Sequence, residues 1–386
     1  MIRVFEAFCG VGSQRMALKN IGVKFEVVGV SEVDRYAILA YDAIHNNGEE
    51  VEEKTKNEML LEFEKRNVGY NFSTGKLEIP KNFEELKKMY DAHIRIKNFG
   101  DIRKINTDDL PDFDLFTYSF PCKNITNEGK SDGFKKGSET QSSLVWDCQN
   151  IIENKKPKFL LMENVKNIVG RKNIETFNEW CELLTSYGYE NHWKILNGVD
   201  FGVPQKRERV IMISILKECG IDYSFPNKRI LKTFLSDLLE HNVDENLYVN
   251  RSKYEGLIWD SFDDNGEPII CIREATKKGY AEANVGDSIN IMFPNSKTRR
   301  GRVGKKVCNT LTTTTWQCVI EKDMRIRRLT SLECWRLMGF KDEDYEKAKN
   351  IANLPEVKLY ERAGRGIVVP MLEDILKELF SRIEIK

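Results

Sequence analysis

The sequence predicts an α/β protein, with a doubly wound and mostly parallel sheet followed by a second, smaller, irregular and β-rich domain. In the N-terminal half, short apolar runs alternate with helix-like stretches, a pattern typical of parallel sheets covered by helices. After residue 216 the sequence becomes irregular, with clusters of Gly, Asn, Asp and Pro. The length of 386 residues also suits more than one domain, at roughly 150 residues each.

Five apolar runs predict the strands of the large sheet. In chain order they are Ile2–Phe8, Phe25–Val30, Phe113–Phe120, Phe159–Met162 and Val210–Leu216. A charge-rich insertion at 48–98 interrupts the alternation and contains two helix-like stretches, Lys56–Arg66 and Asn82–Lys97. Ligands of such sheets bind beyond the carboxyl ends of the strands, so the residues that follow the runs are candidates for a site.

The remaining chain divides into two parts, after a large domain that covers 1–216. Residues 217–345 predict the smaller domain, with β-type pieces at Pro268–Ile272 and Thr310–Ile320. Residues 346–386 predict a C-terminal segment that returns to the large domain. Helical patterns lie at Ser331–Met338 and Leu372–Ile383.

The composition excludes several classes of protein. Lysine and arginine number 60, as do aspartate and glutamate, so the formal net charge is zero and a histone-like polycation is excluded. A nucleic-acid enzyme is not excluded, because its positive surface only has to be local. The nine cysteines are odd in number, lack CxxC spacing and accompany only four histidines, so we predict neither a disulfide framework nor a metal site.

The sequence shows no signal for a membrane. No apolar run approaches the ~20 residues of a membrane span, and the N-terminus carries Glu6 in place of an apolar signal-peptide core. We therefore expect no membrane partner and a protein of the reducing cytoplasm.

A glycine-rich turn, Phe8-Cys9-Gly10-Val11-Gly12, follows the first predicted strand. Glycines at a strand-to-helix turn allow a ligand to approach the backbone and leave helix N–H groups free. Glu32 ends the second run, where a carboxylate can accept both ribose hydroxyls, and Asp101-Ile102 is a candidate reader of an adenine edge. Together these residues favour an adenosine-containing cofactor over a tight turn that binds nothing.

Two further strand ends carry groups suited to covalent and acid–base chemistry. Ser119-Phe120-Pro121-Cys122 places a thiol at the carboxyl edge of the sheet; a nucleophile requires an accessible thiol, and a buried structural cysteine is the alternative. Met162-Glu163-Asn164-Val165 places a carboxyl group at the next strand end. Burial would raise its pKa and make it a proton donor, whereas a surface glutamate that caps a helix is the alternative.

Two basic segments are candidates for binding a base or phosphates. In Gln205-Lys206-Arg207-Glu208-Arg209 the arginines are two residues apart, so on an extended segment their side chains point the same way. A solvated charge cluster is the alternative. The stretch Ser288–Ile320 holds no acidic residue and six basic ones, namely Lys297, Arg299, Arg300, Arg302, Lys305 and Lys306.

The motifs form one ordered set, completed by a late segment. In chain order they are Phe8-x-Gly10-x-Gly12, Glu32, Pro121-Cys122, Glu163-Asn164-Val165, Gln205-x-Arg207-x-Arg209 and Arg328-Leu329-Thr330-x-x-Glu333-x-x-Arg336-Leu337-Met338-Gly339-Phe340. This set resembles the DNA (cytosine-5) methyltransferases over almost the entire chain. The resemblance implies a Rossmann-like methyltransferase fold, with S-adenosylmethionine bound by the domain at 1–216 and a target recognition domain at 217–345.

The resemblance also implies a role for each motif. The target cytosine is flipped out of the duplex, and the Cys122 thiolate adds to its C6. Glu163 protonates or hydrogen-bonds N3, while Arg209 holds O2 with Arg207 nearby; Pro121 and Asn164 complete the catalytic motifs. The cofactor would contact Phe8, Gly10, Gly12, Glu32, Asp101, Ile102, Pro121 and Arg365. A mobile loop at Lys123–Lys136, followed by Gly137–Asp147, would close over the flipped base.

The implied partner is double-stranded DNA, whose phosphates and major groove the basic stretch would contact. The implied DNA-binding residues are Lys297, Arg299, Arg300, Arg302, Lys305, Lys306 and Gln205. Thr310-Leu311-Thr312-Thr313 resembles the segment that closes this domain in the family. We expect a cytoplasmic, nucleoid-associated monomer of bacterial or phage origin, whose activity does not require a cognate restriction endonuclease.

Two positions depart from the family's pattern: Lys123, where the family usually has Gln, and Arg365, where it usually has Asn beside the cofactor. A guanidinium seeks a carboxylate or phosphate. Arg365 therefore has three interpretations: it contacts DNA or the cofactor's own carboxylate, it marks a catalytically weakened DNA-binding homologue, or it recognises carboxy-S-adenosylmethionine and the product is 5-carboxymethylcytosine. An RNA cytosine methyltransferase is a further alternative.

Overall fold

The computed structural model describes residues 1–46, 48–71, 74–125 and 133–381, and its elements confirm the predicted α/β class. The first elements alternate strands and helices up to the inserted unit. They are β1 (Ile2–Ala7), α1 (Ser13–Asn20), β2 (Phe25–Ser31), α2 (Arg35–His45), α3 (Lys56–Arg66), β3 (Tyr70–Asn71), β4 (Lys76–Leu77) and α4 (Phe83–Arg95). Side-chain oxygens of Asp34, Thr55 and Asn82 cap α2, α3 and α4 by accepting N–H groups of the first turn.

The next elements supply the rest of the large sheet. They are β5 (Leu115–Tyr118), α5 (Val145–Lys155), β6 (Phe159–Val165), α6 (Ile174–Ser186), β7 (Tyr189–Asn197), β8 (Gln205–Lys206) and β9 (Glu208–Leu216). The sheet has six strands in the order β2-β1-β5-β6-β9-β7. Strands β2, β1, β5 and β6 are parallel, whereas β9 is antiparallel to both of its neighbours.

The sheet is therefore mostly parallel, as predicted, but β9 runs in the opposite direction. Its direction follows from β7, an edge strand that the sequence analysis missed because its side chains are largely polar and half-buried or exposed. β7 and β9 pair as an antiparallel hairpin. Consequently the residues that precede β9 lie at the same edge as those that follow β1, β2, β5 and β6.

The insertion packs on the large domain through a small core, in which Met59 and Phe63 of α3 and Leu86 of α4 meet Val30 of β2 and Tyr41 of α2. Cys9 belongs to the same core, so the insertion supports the turn that follows β1. Both predicted helices are present, and α4 is shorter than the predicted Asn82–Lys97.

The smaller domain consists of short strands. They are β10 (Ile258–Phe262), β11 (Pro268–Arg273), β12 (Tyr280–Ala283), β13 (Ser288–Asn290), β14 (Val303–Gly304), β15 (Cys308–Asn309), β16 (Gln317–Ile320) and β17 (Ile326–Arg328). They form two antiparallel sheets, β10-β11-β12 and β14-β13-β16-β17, over a separate apolar core. Strand β15 instead pairs with β8 of the large domain and joins the two domains.

Four α-helices, with a π-helical turn at Lys347–Ile351 after the second, end the described chain. They are α7 (Ser331–Arg336), α8 (Asp342–Glu346), α9 (Glu356–Arg365) and α10 (Val369–Ser381). Trp335 of α7 and Leu372 of α10 share one core with Val4 of β1. Helix α7 therefore packs on the large domain, although it lies within the predicted range of the smaller domain, 217–345. The end of the predicted helix Leu372–Ile383 lies outside the described residues.

All nine cysteines are free thiols. Within the described ranges, no three His, Cys, Asp or Glu side chains come together in a way that could hold a metal ion. None of the helices in that part of the chain is long and apolar enough to cross a membrane.

Candidate active site

The turn after β1 has a backbone that requires its glycines. Gly10 and Gly12 have φ values of 56° and 76°, in the left-handed region, and Phe8 shares it with a φ of 56°. A Cβ on Gly12 would lie 2.3 Å from His45 Nε2, whereas a Cβ on Gly10 would have no neighbour within 4 Å. The turn is therefore packed tightly on one side and open at Gly10, where a ligand has room to approach.

The predicted ribose carboxylate lies against this turn. Glu32 Oε2 accepts the Gly10 N–H at 3.0 Å, and Oε1 accepts the N–H groups of Val33 and Asp34 at 2.8 and 2.9 Å. Burial and the nearby Asp34 charge raise the pKa of Glu32, and these hydrogen bonds oppose the rise. A partly buried acceptor beside an open glycine turn fits an adenosine group.

The two residues predicted to contact the adenine edge, Asp101 and Ile102, have different surroundings. Asp101 is buried; its carboxylate binds Arg103 Nη2 at 2.5 Å and Asn67 Nδ2 at 3.2 Å. Burial would raise the pKa of Asp101, but the bonds from Arg103 bring it below its usual value. Ile102 is packed in the core. Both side chains have partners within the protein, and the contact of this segment with adenine stays a prediction.

The predicted nucleophile, proton donor and target arginine meet where β5, β6 and β9 come together. Arg209 Nε lies 2.9 Å from Glu163 Oε1. Burial and the Glu163 charge raise the pKa of the Cys122 thiol, whereas Arg209 and Arg207 oppose the rise. Burial also raises the pKa of Glu163, against the lowering effect of both arginines. The site therefore brings together a carboxyl and a thiol whose pKa values are both raised, and the two arginines favour the ionised form of each.

Asn164 holds the segment that carries the thiol. It is buried, and its Nδ2 donates to the Phe120 carbonyl oxygen at 3.0 Å, immediately before Pro121-Cys122. Its placement is that of a positioning residue. Of the predicted mobile loop Lys123–Lys136, residues 126–132 lie outside the described residues. The Asn124 N–H donates to Ser142 Oγ at 3.2 Å, so the start of the loop contacts the segment that follows it.

Arg207 differs from Arg209 in its surroundings. It is 2% exposed and donates to the carbonyl oxygens of Leu311, Gly364 and Gly366 at 2.9, 2.7 and 2.8 Å. The prediction that the two arginines jointly face a base therefore needs correction, because Arg207 is bonded to the backbone of other segments. It acts on the site through position and charge.

A cavity of about 430 Å³ opens beside Arg209. Its walls include Lys166, Lys206 and Glu208 from the large domain and Thr310 from the end of the smaller one. Arg209, the residue predicted to hold the base, forms part of the wall of this cavity. The cavity is therefore the candidate entry for a base.

Three of the predicted DNA-binding residues are buried or paired with another side chain. Gln205 is buried and bonds Leu337 O and the Leu311 N–H, and Arg302 is buried against backbone carbonyls. Lys305 is exposed but pairs with Asp287 at 2.9 Å. The prediction of DNA contact is therefore wrong for Gln205 and Arg302, since local sequence does not reveal partners contributed by distant segments.

The other four predicted DNA-binding residues lie at least partly exposed on the smaller domain. Lys297, Arg300 and Lys306 are exposed, and Arg299 is half-buried. The Lys306 ammonium lies 5.8 Å from the ring centroid of Phe234. These residues remain predicted DNA contacts.

Arg365 has carboxylate partners within the chain. Its side chain is 57% exposed, and it pairs with Glu361 at 2.6 Å and with Asp34 at 3.5 Å. Arg362, which the sequence analysis missed, is buried and binds the same Asp34 at 2.8 Å. Arg362 follows no motif that could have marked it; only its packing shows that it joins α9 to the segment after Glu32.

The sequence is similar to that of known DNA methyltransferases along almost its whole length. The model of the C-5 cytosine-specific DNA methylase family matches residues 74–381. The chain is 42% identical to the type II methyltransferase M2.ScrFI of Lactococcus lactis subsp. cremoris, over 99% of both chains. It is 31% identical to the orphan methyltransferase M.SssI of Spiroplasma monobiae, over 98% of this chain and 97% of the relative.

Solved structures share the fold. The S. pombe Dnmt2 methyltransferase superposes with a TM-score of 0.58 at 17% identity, over 99% of both chains. A putative DNA modification methyltransferase encoded within an E. coli prophage gives a TM-score of 0.57 at 19% identity, over 99% of both chains. The family match and the identity to relatives of nearly equal coverage show that this chain belongs to the C-5 cytosine-specific DNA methylase family.

Proposed function

We propose that the protein is a sequence-specific enzyme that transfers a methyl group from S-adenosylmethionine to C5 of cytosine in double-stranded DNA. The observation that carries the proposal is the meeting of Cys122, Glu163 and Arg209 at the carboxyl edge of the sheet. The glycine turn is adjacent, since Gln14 of α1 donates to Ser119 Oγ at 3.4 Å. A thiol, a proton donor and a guanidinium are the groups needed to attack, protonate and hold a pyrimidine ring.

Phe8, Gly10, Gly12 and Glu32 would hold the cofactor at the ends of β1 and β2, with Pro121 across the site. S-adenosylmethionine supplies an electrophilic methyl group carried on a sulfonium sulfur. The chain's part is to accept the ribose hydroxyls at Glu32 and to leave open space at Gly10.

Inside a duplex the C6 atom of cytosine is stacked, so the base must be extruded before it reacts. The Cys122 thiolate then forms a bond to C6, which moves an electron pair onto N3, where Glu163 donates its proton. C5 becomes nucleophilic and would take the methyl group as the S–CH3 bond breaks, so that the bond pair stays on sulfur and a neutral thioether, S-adenosylhomocysteine, leaves. Loss of the C5 proton to a base, departure of the Cys122 thiolate and return of the N3 proton to Glu163 restore the ring.

The Arg209–Glu163 pair supports this assignment. The exocyclic O2 of cytosine is bonded to C2, the ring atom next to N3, so O2 and N3 lie side by side on one edge of the base. The guanidinium and carboxyl groups likewise lie side by side in the site, 2.9 Å apart. Arg209 would bind O2 while Glu163 meets N3. The raised pKa of Glu163 favours the protonated form that this step needs.

The test is covalent trapping on duplex DNA that contains 5-fluorocytosine, whose fluorine blocks the final elimination. We expect the wild-type protein with S-adenosylmethionine to form a covalent complex and Cys122→Ser to form none. Cys181→Ser is the control, because Cys181 lies on α6 and packs against Met212. Trapping that persists in Cys122→Ser would overturn the nucleophile assignment.

Nucleoside mass spectrometry on DNA and RNA substrates separates the alternatives. Methylated RNA without methylated DNA would favour an RNA enzyme. Arg365 already pairs with Glu361 and Asp34, so its charge is balanced within the chain, which favours 5-methylcytosine as the product. Formation of 5-carboxymethylcytosine from the carboxylated cofactor would instead support the carboxymethyl hypothesis.

A further inference from the structure

The loop between β13 and β14 presents an aromatic ring to solvent in an unusual backbone conformation. Phe293 has a φ of 53°, and it is 48% exposed. A left-handed backbone is uncommon for a bulky residue and persists only where the surroundings impose it. Such a position suggests function, because the exposed ring adds little to the core.

Arg302 imposes this conformation from inside the domain. It is 1% exposed and donates to the carbonyl oxygens of Met292 and Phe293, both at 2.8 Å. The Asn290 side chain accepts the Met292 N–H at 2.9 Å, and the Phe293 carbonyl also accepts the Ser296 N–H at 3.1 Å. The loop is thus held rigidly, with its ring outward.

One cation lies against the ring, and two more are exposed in the same loop. The Arg299 guanidinium lies 5.4 Å from the ring centroid, whereas Lys297 is exposed nearby in the sequence and Arg300 is exposed with its Nε donating to the Ala275 carbonyl oxygen. Glu274, the carboxylate that reaches this loop, accepts the backbone N–H of Arg302. An apolar wedge flanked by cations matches the chemistry of stacked bases bordered by phosphates.

The loop is also tied to the wall of the cavity beside Arg209. Asn309 Nδ2 donates to the carbonyl oxygens of Gly301 and Arg302 at 3.1 and 3.2 Å. The next residue, Thr310, lines the cavity together with Arg209, and its hydroxyl donates to Lys206 O at 2.6 Å. The end of the loop, at Gly301 and Arg302, therefore lies close to the cavity at which a duplex would deliver a base to Arg209.

We propose that Phe293 inserts its ring into the base stack of the recognition sequence, while Lys297, Arg299 and Arg300 bind the flanking phosphates. The inference rests on the proposed function, because it requires a DNA duplex at the cavity. Insertion of the ring costs the free energy of unstacking one base step, and this cost is lower for steps that unstack easily. Phe293 would therefore favour DNA sequences that contain such a step and is a specificity-determining residue.

The test uses the full chain and duplexes that carry its recognition sequence, mapped beforehand from methylated DNA. 2-Aminopurine, which fluoresces more strongly when unstacked, replaces one base at a time. We expect the wild-type protein to raise the fluorescence at one step in addition to the extruded cytosine. Phe293→Ala should lose that signal and bind about ten-fold more weakly, the loss typical of one stacking contact.

Phe262→Ala is the matched control, because Phe262 is 72% exposed on β10 of the same domain; both readouts should stay unchanged. Phe293→Trp should keep the signal, which separates loss of the ring from collapse of the loop. If Phe293→Ala retains the fluorescence and affinity of Phe262→Ala, the inference fails while DNA methylation by the wild type still supports the function. Wild-type protein that methylates no DNA would overturn the function itself.

Discussion

At the scale of single residues, Glu163 has two opposing effects on the groups around it. Its carboxylate pairs with Arg209 at 2.9 Å and so orders the guanidinium that is proposed to hold the base. Its negative charge also raises the pKa of the Cys122 thiol, after the larger effect of burial. In the proposed mechanism, the residue that protonates N3 is thus also the one whose charge, while it is ionised, adds to the raised pKa of the nucleophile.

Replacing Glu163 with Gln should separate these two effects. The pKa of Cys122 should fall, because the substitution removes a negative charge, and iodoacetamide should therefore alkylate Cys122 faster at a fixed pH below that pKa. Methyl transfer should nonetheless fall by about 10²-fold or more, because the proton donor is lost. Peptide mass spectrometry of alkylation, combined with methylation rates, measures both.

Cys181 is the internal control. Burial and the charge of Glu182 raise its pKa to about 12, so its ionisation does not depend on Glu163. Its alkylation rate should be the same in both proteins. Slower alkylation of Cys122 in Glu163→Gln would contradict the electrostatic coupling.

At the scale of elements, the turn after β1 depends on the packing of α2 beneath it. Tyr41 of α2 donates to buried Glu6, and His45 Nε2 lies 3.0 Å from the Val11 carbonyl oxygen. Burial and the Arg15 charge lower the pKa of His45 to about 3, so the ring is neutral and donates to Val11. One helix therefore fixes the side of the turn that faces away from the ligand.

Gly12→Ala should be more damaging than Gly10→Ala. Both positions have positive φ, so each substitution costs about 1 kcal/mol or more of stability. Only a Cβ on Gly12 collides with α2, at 2.3 Å from His45 Nε2 and 2.8 Å from Tyr41, and we expect a further ~1–3 kcal/mol and weaker cofactor binding. Urea unfolding and calorimetric titration with S-adenosylmethionine measure both; equal losses would contradict this packing.

The elements that the sequence predicted are those with a strong local signal. Apolar runs marked β1, β2, β5, β6 and β9 because buried strands need them, and α3 begins at a capping box formed by Thr55 and Glu58. The polar edge strand β7 carries no such signal, and without it the direction of β9 was not predictable. That direction is what brings Arg209 to the edge that holds Cys122.

At the scale of the whole molecule, buried arginines join segments that are far apart in sequence. Arg302 fixes a loop of the smaller domain, Arg362 joins α9 to Asp34, and Arg207 binds three carbonyl groups from two other segments. An arginine in a sequence looks like surface charge, so Arg302 was predicted to bind DNA. The net charge of zero likewise hides an exposed cationic loop around Phe293.

Arg207→Met and Arg209→Met should therefore fail in different ways. Arg207→Met leaves the carbonyls of Leu311, Gly364 and Gly366 without their donor, and we expect it to lower the free energy of unfolding by about 3 kcal/mol. Arg209→Met should cost about 1 kcal/mol or less, because the raised pKa of Glu163 lets that carboxyl protonate once its partner is gone, yet it should abolish trapping on 5-fluorocytosine DNA. Urea unfolding and trapping of both variants measure the difference. Wild-type stability in Arg207→Met would mean that the large domain, the end of the smaller domain and α9 are held together without it.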